Sequence, residues 1–376
     1  MKILLATNSL KHSLSSSEIA NILEKSLSKI NKSEIIKLPL SDGGDGFLEF
    51  INFHKKSEIV QKIFQSEFAG SNITIPVLID KNNKQVYIES AEVIGLKKLP
   101  ENFKKPLSIN SYPLGNLLKE ISLSEDELLV STNEIIIGIG GTATIDFGLG
   151  SLEALGFKFL NASNIQIKPI PENFSQINKI FYRDLSFVKK LYFVVDVNTK
   201  LLGENNAIKI YGLQKGATKY ELDLIEKGIS NIIKVLKSEG FSINEFELNG
   251  AGGGIAAGLN LFTDSKIISS IDYLKSKVLK AYLNQYFDYI VTSEGKFDYQ
   301  SFEGKITGEI IKLFHNKTKK IYVLCGNYDR NLDYNLPENV EIIELRKFFN
   351  SIEDSILKSE LGLQIASDEI IKQIAV

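Results

Sequence analysis

Three glycine-rich segments carry the features of this sequence that best fit chemistry. They are 41–46 (SDGGDG), 138–150 (GIGGTATIDFGLG) and 250–254 (GAGGG). Glycine lets backbone N–H groups approach an anion without obstruction by a Cβ atom, and a helix N-terminus adds partial positive charge and free donors. A single segment of this kind serves equally well as a tight turn or a close helix contact. Three in one chain favour phosphate binding.

Acidic side chains lie beside these glycines or near the ends of apolar runs. The set comprises Asp42, Asp45, Asp146, Asp196, Glu294 and Asp298. Mg²⁺ prefers one or two carboxylates together with substrate phosphates, and a hydroxyl nucleophile needs one carboxylate to orient it and accept its proton. Taken singly, an aspartate is more often a loop or helix cap. The whole set, however, matches the requirements of phosphoryl transfer.

Four lysines near these loops have the charge to neutralise a transferring phosphate: Lys11, Lys215, Lys296 and Lys305. The three histidines fit no metal-ligand spacing. The single cysteine excludes an intrachain disulfide and a cysteine-based zinc cluster, and it fits a reducing compartment.

Familiar nucleotide-binding signatures are missing from the sequence. None of the three glycine segments is a Walker A loop, and the glycine–lysine pair at 304–305 is followed by isoleucine, which lacks the metal-binding hydroxyl. The segment 138–144 (GIGGTAT) is not a GxGxxG dinucleotide fingerprint, and the protein-kinase and HExxH signatures are also missing. The sequence therefore predicts phosphate binding without a Walker loop.

The elements that must position these loops alternate between strands and helices. Short apolar runs predict strands at 2–7, 34–40, 73–79, 86–89, 134–139, 191–197, 289–292 and 320–325. Helical spacing predicts helices at 15–30, 220–238, 265–280, 304–314 and 352–375. Strands joined by amphipathic helices favour a parallel sheet with right-handed crossovers. The expected fold class is therefore α/β, with ligands bound at the carboxyl ends of the strands.

Composition limits the partners and the location of the protein. A chain of 376 residues exceeds the length at which one hydrophobic core usually stops growing, so we expect two domains. The formal charge of −2 argues against nucleic acid and anionic membranes as partners. The N-terminus does not read as a signal peptide and no apolar run is long enough to span a bilayer, so we expect a cytoplasmic protein.

These segments resemble, in order, the motifs of the bacterial glycerate kinase family. Residues 7–15 (TNSLKHSLS) are similar to the family's APDSFKGSLSA, 42–46 (DGGDG) to its DGGEG, and 89–96 (ESAEVIGL) to its E-x-A-x-A-S-G-L. Residues 138–150 resemble GIGGSATNDGGAG almost position by position. The resemblance extends over nearly the whole chain through 196–203 (DVNTKLLG), 211–218 (YGLQKGAT), 250–254 and 292–301 (TSEGKFDYQS).

The resemblance implies a two-domain α/β fold and an activity. A flavodoxin-like parallel-sheet domain would comprise residues 1–66 and 286–376, and an inserted α/β domain would comprise residues 67–285. The implied reaction is the ATP-dependent phosphorylation of D-glycerate, usually to 2-phosphoglycerate, with ATP and Mg²⁺ as cofactors. Glycerate and MgATP would meet in the cleft between the domains, where closure excludes water.

The resemblance also implies roles for individual residues. Asp196 or Asp42 would be the base that orients the hydroxyl, and Lys11 or Lys296 would face the substrate carboxylate or the transition-state charge. The nucleotide contacts would be made by Gly138, Gly140, Gly141, Thr142, Lys215, Gly252 and Gly253. Substrate contacts would be made by Ser9, Asp45, Gln214 and Asp298, and Mg²⁺ would be bound by Asp146, Asp196 and Glu294.

Several positions depart from the family pattern. Asn8 stands where the family mostly has aspartate, while Phe147, Ser293 and Pro113 replace glycines. An amide binds a hydroxyl but cannot act as a carboxylate base. Two alternatives therefore stay open: a kinase of another small hydroxy acid, because phosphate-binding loops do not select the acceptor, or a catalytically silent nucleotide-binding relative. The sequence does not indicate an oligomeric state.

Overall fold

The computed structural model describes residues 1–10, 13–55, 58–100, 103–196, 199–302, 305–330 and 335–374. The candidate residue Lys11 lies outside the described residues. The strands are Lys2–Ala6 (β1), Glu34–Lys37 (β2), Ile59–Phe68 (β3), Ser71–Asp80 (β4), Gln85–Glu89 (β5), Glu134–Ile139 (β6), Lys158–Leu160 (β7), Lys179–Phe181 (β8), Lys190–Val195 (β9), Ser265–Ser269 (β10), Phe287–Phe297 (β11), Thr318–Tyr328 (β12) and Val340–Glu344 (β13).

The α-helices alternate with these strands. They are Ser16–Leu27 (α1), Phe47–Lys55 (α2), Ser90–Ile94 (α3), Tyr112–Ser122 (α4), Glu127–Val130 (α5), Leu149–Ala154 (α6), Ala207–Gly212 (α7), Lys219–Ser238 (α8), Ile255–Asn260 (α9), Ser270–Lys277 (α10), Ile306–Phe314 (α11), Ile352–Leu357 (α12) and Ser359–Ile374 (α13). Within the described part of the chain, none of them combines the length and apolarity that a membrane-spanning helix requires.

The chain divides into two compact units. The first consists of Met1–Asp42, Glu49–His54 and Ser270–Val376, and the second of Gly43–Leu48 and Lys55–Ser269. This division differs from the expected domain boundaries in residues 43–48, 55–66 and 270–285. The strand β3 explains part of the difference, because it pairs along its whole length with β4 as an antiparallel hairpin of the second unit.

The first unit contains a five-stranded parallel sheet in the order β2–β1–β11–β12–β13. Counted as five consecutive strands, this is the order 2-1-3-4-5 of flavodoxin-like folds. Ile3, Leu5 and Val291 are fully buried in its core, as expected for parallel strands that are covered on both faces. The predicted flavodoxin-like sheet is confirmed. Its strand order reverses between β1 and β11, which is where ligands bind in such folds.

The second unit contains a six-stranded sheet in the order β10–β9–β6–β5–β4–β3. The strands β10, β9, β6 and β5 pair in parallel, whereas β4 and β3 extend the sheet by antiparallel pairing. The glycine segment 138–150 begins in β6, at the centre of this sheet. The segment 250–254 immediately precedes α9. Both loops are therefore anchored on the core of the second unit.

Most predicted elements are confirmed, and the errors have identifiable causes. The predicted strand 134–139 matches β6, and the predicted helix 220–238 matches α8 within one residue. The helix predicted at 265–280 is wrong at its start, because 265–269 forms the parallel edge strand β10 beside β9. The helix predicted at 352–375 is two helices, which are interrupted at Lys358. The sequence does not predict the strands β3, β7, β8 and β13.

Candidate active site

Asn8 and Ser293 hydrogen-bond to each other at the strand-order reversal of the first unit, where β1 and β11 are neighbours. The Asn8 N–H donates to Ser293 Oγ at 3.0 Å, and the Ser293 hydroxyl donates to the Asn8 carbonyl oxygen at 2.6 Å. Asn8 Oδ1 accepts a hydrogen bond from the Ser9 N–H at 2.9 Å. Two departures from the family pattern are thus in direct contact. The serine hydroxyl, which glycine lacks, fixes the backbone of Asn8 and thereby the predicted substrate residue Ser9.

A charged cluster follows at the end of β11. Glu294 Oε1 lies 3.2 Å from Lys305 Nζ, and its Oε2 accepts a hydrogen bond from Ser301 Oγ at 2.8 Å. Asp298 Oδ2 lies 3.0 Å from Lys296 Nζ, and its Oδ1 lies 3.7 Å from Lys305 Nζ. The structure therefore brings together the predicted residues Glu294, Lys296, Asp298 and Lys305.

Electrostatics differ between the members of this cluster. Glu294 is buried, and desolvation raises its pKa although the Lys305 ammonium opposes the shift. The Lys296 side chain is 55% exposed, and its hydrogen bond to Asp298 raises its pKa. Lys296 is thus a fully charged, partly exposed cation. Such a group suits binding of a substrate carboxylate.

Within the second unit, residues 43–45 of the first glycine segment pack directly against residues 138–141 of the second glycine segment. A Cβ atom on Gly138 would lie 2.6 Å from the Gly43 carbonyl oxygen, and one on Gly140 would lie 2.5 Å from the Gly44 Cα. A Cβ atom on Gly141 would collide with Asp45 Oδ1. Asp45 itself is exposed and pairs with Lys97. Gly138 and Gly140 are therefore required for close approach of backbone to backbone, whereas Gly141 faces the Asp45 side chain.

Lys215 is the most unusual charged group of the second unit. It is 8% exposed, and its Nζ donates to Thr142 Oγ1 at 3.0 Å and to the Thr144 carbonyl oxygen at 2.8 Å. Burial lowers its pKa to about 8, an effect that the Asp146 charge only partly opposes. Its position follows from local sequence, because α8 begins directly behind it with a capping box formed by Thr218 and Glu221. The structure thus brings together the predicted residues Thr142 and Lys215.

Asp146 has the surroundings of a structural residue. It has no exposed surface, and its Oδ2 accepts hydrogen bonds from Ser111 N, Ser111 Oγ and Gly150 N at 2.8, 2.7 and 3.0 Å. Desolvation raises its pKa. Oδ1 has no hydrogen-bond partner among the described residues. A hydrated Mg²⁺ needs an accessible carboxylate, so the predicted metal role of Asp146 does not fit these contacts.

The remaining metal candidates are in different surroundings. Asp196 is half-buried directly after β9, a strand of the mixed sheet of the second unit. Glu294 belongs to the first unit and already pairs with Lys305. No group of three histidine, cysteine or acidic residues suited to a metal ion occurs among the described residues. A single carboxylate suffices for Mg²⁺ when phosphates complete the coordination, and the predicted metal roles of Asp196 and Glu294 stay predictions.

The third glycine segment, 250–254, packs against the loop 142–147 that carries Asp146. Gly252, Gly253 and Gly254 all have positive φ angles, and a Cβ atom on Gly253 would collide with the Thr144 carbonyl oxygen. The Gly253 carbonyl oxygen accepts a hydrogen bond from the Phe147 N–H at 3.0 Å. The predicted residues Gly252 and Gly253 thus lie against the loop that holds Lys215.

Phe147 occupies a position where the family has glycine, and its backbone conformation explains the family's preference for glycine. Its φ angle is 52°, in the left-handed region that favours glycine, yet its ring is fully buried. The ring packs near Gly254, whose added Cβ atom would lie 3.2 Å from Phe147 Cδ2. Phenylalanine at this position therefore adds packing to the core but strains the backbone.

Sequence reasoning missed two residues at the end of β5. Glu89 Oε1 and Oε2 accept hydrogen bonds from Gly46 N and Leu48 N, and Ser90 exchanges two hydrogen bonds with Gly140. Both residues lie in the segment 89–96 that resembles a family motif, which was the available signal. Of the other predicted residues, Asp42 is half-buried ahead of α2, and Gln214 is exposed beside Lys215.

The fold and these loops together define an α/β protein with one parallel and one mixed sheet and with three glycine-rich loops. The chain matches the model of the glycerate kinase family over residues 3–375, and it belongs to that family. It is 29% identical to a glycerate kinase of Halalkalibacterium halodurans, over 86% of this chain and 85% of that protein. It is also 29% identical to glycerate 2-kinase of Escherichia coli K12, over 87% of this chain and 85% of that protein.

A solved structure supports the fold. The crystal structure of a candidate glycerate kinase 2 from Salmonella typhimurium LT2 covers all of this chain and 98% of its own, with a TM-score of 0.74. At 24% sequence identity this likeness concerns the fold. The α/β fold class expected from the resemblance is confirmed.

Proposed function

We propose that this protein is a glycerate kinase, which transfers the γ-phosphoryl group of ATP to a hydroxyl of D-glycerate. The expected product is 2-phosphoglycerate. The observation that carries the proposal is the buried Lys215 ammonium, which is held by Thr142 Oγ1 and the Thr144 carbonyl oxygen within a glycine-rich loop. A desolvated cation in such a loop interacts strongly with an anion that arrives there. Membership of the glycerate kinase family supports phosphate as that anion.

The chemistry of the proposed reaction divides among a few groups. The acceptor hydroxyl needs a carboxylate that orients it and takes its proton, for which we propose Asp196, with Asp42 as the second candidate. Lys215 would stabilise the charge on the transferring phosphoryl group. Mg²⁺ would neutralise the phosphate oxygens, and we propose Asp196, half-buried directly after β9, as its carboxylate ligand.

The charged cluster of the first unit suits the organic acid. Lys296 and Lys305 are partly exposed cations that lie beside Asp298 and Glu294. We propose that they balance the carboxylate of glycerate, and that Ser9 contacts its hydroxyl groups. Lys11 stays a prediction, as do the meeting of glycerate and ATP between the domains and the cytoplasmic location.

A product assay tests this function. Purified protein with ATP, Mg²⁺ and D-glycerate should release ADP in a coupled assay, and ³¹P NMR should identify 2-phosphoglycerate and distinguish it from 3-phosphoglycerate. Asp196→Asn should lower kcat by about 10²–10⁴-fold if Asp196 is the base. Asp42→Asn is the matched variant: if it causes the larger loss, the base is Asp42.

Two results would overturn the proposal. If another small hydroxy acid gave ADP and D-glycerate did not, the protein would be a kinase of a different acceptor. If calorimetry detected ATP binding while none of a panel of hydroxy acids was turned over, the protein would be a silent nucleotide-binding relative. Asn8 motivates both experiments, because it replaces an aspartate of the family pattern.

A further inference from the structure

The dipeptide Glu89–Ser90 at the carboxyl end of β5 holds two loops at once. Glu89 is 6% exposed, and each of its carboxylate oxygens accepts one backbone hydrogen bond: Oε1 from Gly46 N at 3.0 Å and Oε2 from Leu48 N at 3.1 Å. Leu48 is the second residue of α2, so its N–H group has no partner within the helix. Glu89 therefore fixes the end of the segment 41–46 by capping the helix that follows it.

Ser90 holds the other loop in the same way. Its side chain has no exposed surface; its Oγ donates to the Gly140 carbonyl oxygen and accepts from the Gly140 N–H, both at 3.1 Å. One hydroxyl thus satisfies both backbone groups of a single glycine. Gly140 is at the point where the chain leaves β6. The segment 138–141 is therefore tied to the same strand end as the segment that precedes α2.

The glycines of the segment 138–141 pack closely against the segment 43–45. Added Cβ atoms on Gly138, Gly140 and Gly141 would each strike the segment 43–45. The hydrogen bonds that Glu89 accepts, the two that Ser90 exchanges with Gly140, and the contacts along these glycines together determine the spacing of the two loops. Asp45, a predicted substrate residue, lies on one side of this contact, and Thr142, which holds Lys215, follows directly on the other.

We propose that Glu89 and Ser90 are positioning residues for phosphoryl transfer, which set the spacing between the segments 41–46 and 138–141. The proposal rests on the kinase function proposed above. Neither residue needs to touch a substrate. Each acts through the backbone of a loop whose placement decides whether acidic and phosphate-binding groups meet in reactive geometry.

The ionisation of Glu89 makes this role measurable. Both oxygens face N–H donors, so a proton on either oxygen removes one of the two hydrogen bonds. Burial, with smaller contributions from Glu92 and Asp45, raises the pKa of Glu89 to about 7. Among the described residues nearby, Lys97 pairs with Asp45, and Lys98 pairs with Glu92 at 2.7 Å. The hold on α2 should therefore weaken as the pH falls through about 7.

Stability and activity should respond to this proton in opposite directions. The pKa of Glu89 is higher in the folded protein than its ordinary value, so the folded state binds more protons than the unfolded state in this range. This group therefore adds stability as the pH falls from about 7 towards 4.5. A loss of activity over the same range cannot then be explained by unfolding at this site.

Three variants test the proposal through the pH profile of kcat/KM. Glu89→Gln keeps the shape but presents an NH₂ group to one backbone donor and does not titrate. It should lower kcat by about 10- to 100-fold, as expected for a lost bond to a charged group, and it should abolish the acid limb near pH 7. Ser90→Ala should lower kcat by about tenfold and retain that limb. Glu92→Gln is the control, since Glu92 makes no hydrogen bond to either loop among the described residues, and kcat should stay within about twofold.

A measurement on the wild-type protein covers the case in which Glu89→Gln does not fold. Hydrogen-exchange protection of the Gly46 and Leu48 amides should fall below pH 7, while protection in β6 should not. The proposal is overturned if these amides keep their protection, if Glu89→Gln retains the acid limb, or if its kcat stays within twofold. Absence of any turnover by the wild-type protein would instead refute the kinase function, so the two failures are distinguishable.

Discussion

The two units hold their candidate lysines in opposite ways. In the first unit, Lys296 and Lys305 have side chains that are 55% and 39% exposed, and both face carboxylates at 3.0–3.7 Å. In the second unit, Lys215 is buried and donates to neutral oxygens of Thr142 and Thr144. The pKa of Lys296 is raised, whereas that of Lys215 is lowered to about 8.

This difference in burial suits the lysines of the two units to different functions. An exposed lysine with a carboxylate partner is already compensated and screened by water, so it contributes little to stability and binds ligands weakly. A buried lysine without a close carboxylate partner destabilises the folded protein, but it interacts strongly with any anion that reaches it. We therefore expect the second unit to provide the electrostatic stabilisation of phosphoryl transfer and the first unit to contribute more to acceptor binding.

The largest effect should follow from Lys215→Met. Methionine fills the space of the buried stem without its charge, and the loss of a preorganised donor should lower kcat by about 10²–10³-fold. Initial rates at saturating ATP and glycerate measure this change. A loss of less than tenfold, with the fold intact by circular dichroism, would remove Lys215 from the proposed mechanism.

The same substitution should change how stability depends on pH. Because the pKa of Lys215 falls from 10.5 to about 8 on folding, the unfolded state binds more protons between these values, and wild-type stability should rise with pH through this window. The rise attributable to Lys215 is at most about 3 kcal/mol. Urea unfolding at pH 7 and pH 10 measures it, with Lys215→Met as the reference. Parallel curves for both proteins would show that Lys215 does not bear this burial cost.

Phe147→Gly tests the packing of the loop that surrounds Lys215. Removing a buried ring costs about 3–5 kcal/mol, and relief of the left-handed backbone returns about 1–3 kcal/mol. We therefore expect a net loss of about 2 kcal/mol in the free energy of unfolding. Phe147→Ala is the matched control, because it creates a similar cavity but keeps the strain, and it should be the less stable of the two. Equal stabilities would mean that the positive φ angle stores no strain.

Ser293→Gly restores the family residue at the strand-order reversal of the first unit. It removes both hydrogen bonds to the Asn8 backbone, so the free energy of unfolding should fall by about 1–2 kcal/mol. The KM for glycerate should rise more than kcat falls, because Ser9 loses its fixed neighbour. A variant with unchanged stability would show that the Asn8–Ser293 contact is dispensable.

The smallest effect should follow from Lys296→Met. Its partner Asp298 also lies near Lys305, and an exposed ion pair contributes about 0–1 kcal/mol. Thermal unfolding should therefore shift little, while KM for glycerate rises. If instead kcat fell as far as in Lys215→Met, the contrast between the two units would be wrong, and Lys296 would act in the transition state.

The sequence predicted the elements whose signals are local. Alternating apolar runs and helical periodicity located β6 and α8 almost to the residue, because burial on a sheet or helix face imposes its period on the chain. The segment 265–269 was assigned to a helix because its apolar spacing is ambiguous. It forms a strand only because β9 offers an edge for parallel pairing.

The candidate site was predictable as a set of loops but not as a set of contacts. Glycine segments and neighbouring acids indicated phosphate binding, and the order of motifs indicated the family. The sequence could not show that Asp146 is enclosed by Ser111 and Gly150, or that Glu89 caps α2. These roles depend on which backbone donors lie nearby in the folded chain, and the residue spacing within one segment does not predict those donors.

What the sequence determined by itself is the chemistry available: three glycine loops, the acids and lysines beside them, and membership of the glycerate kinase family. The tertiary structure decided which charges are buried and which are paired. Lys215 meets Thr142 across 73 positions of the chain, and Asn8 meets Ser293 across 285. The pKa and the reactivity of a group depend on desolvation and on such distant partners, so only the folded chain distinguishes a structural carboxylate from a functional one.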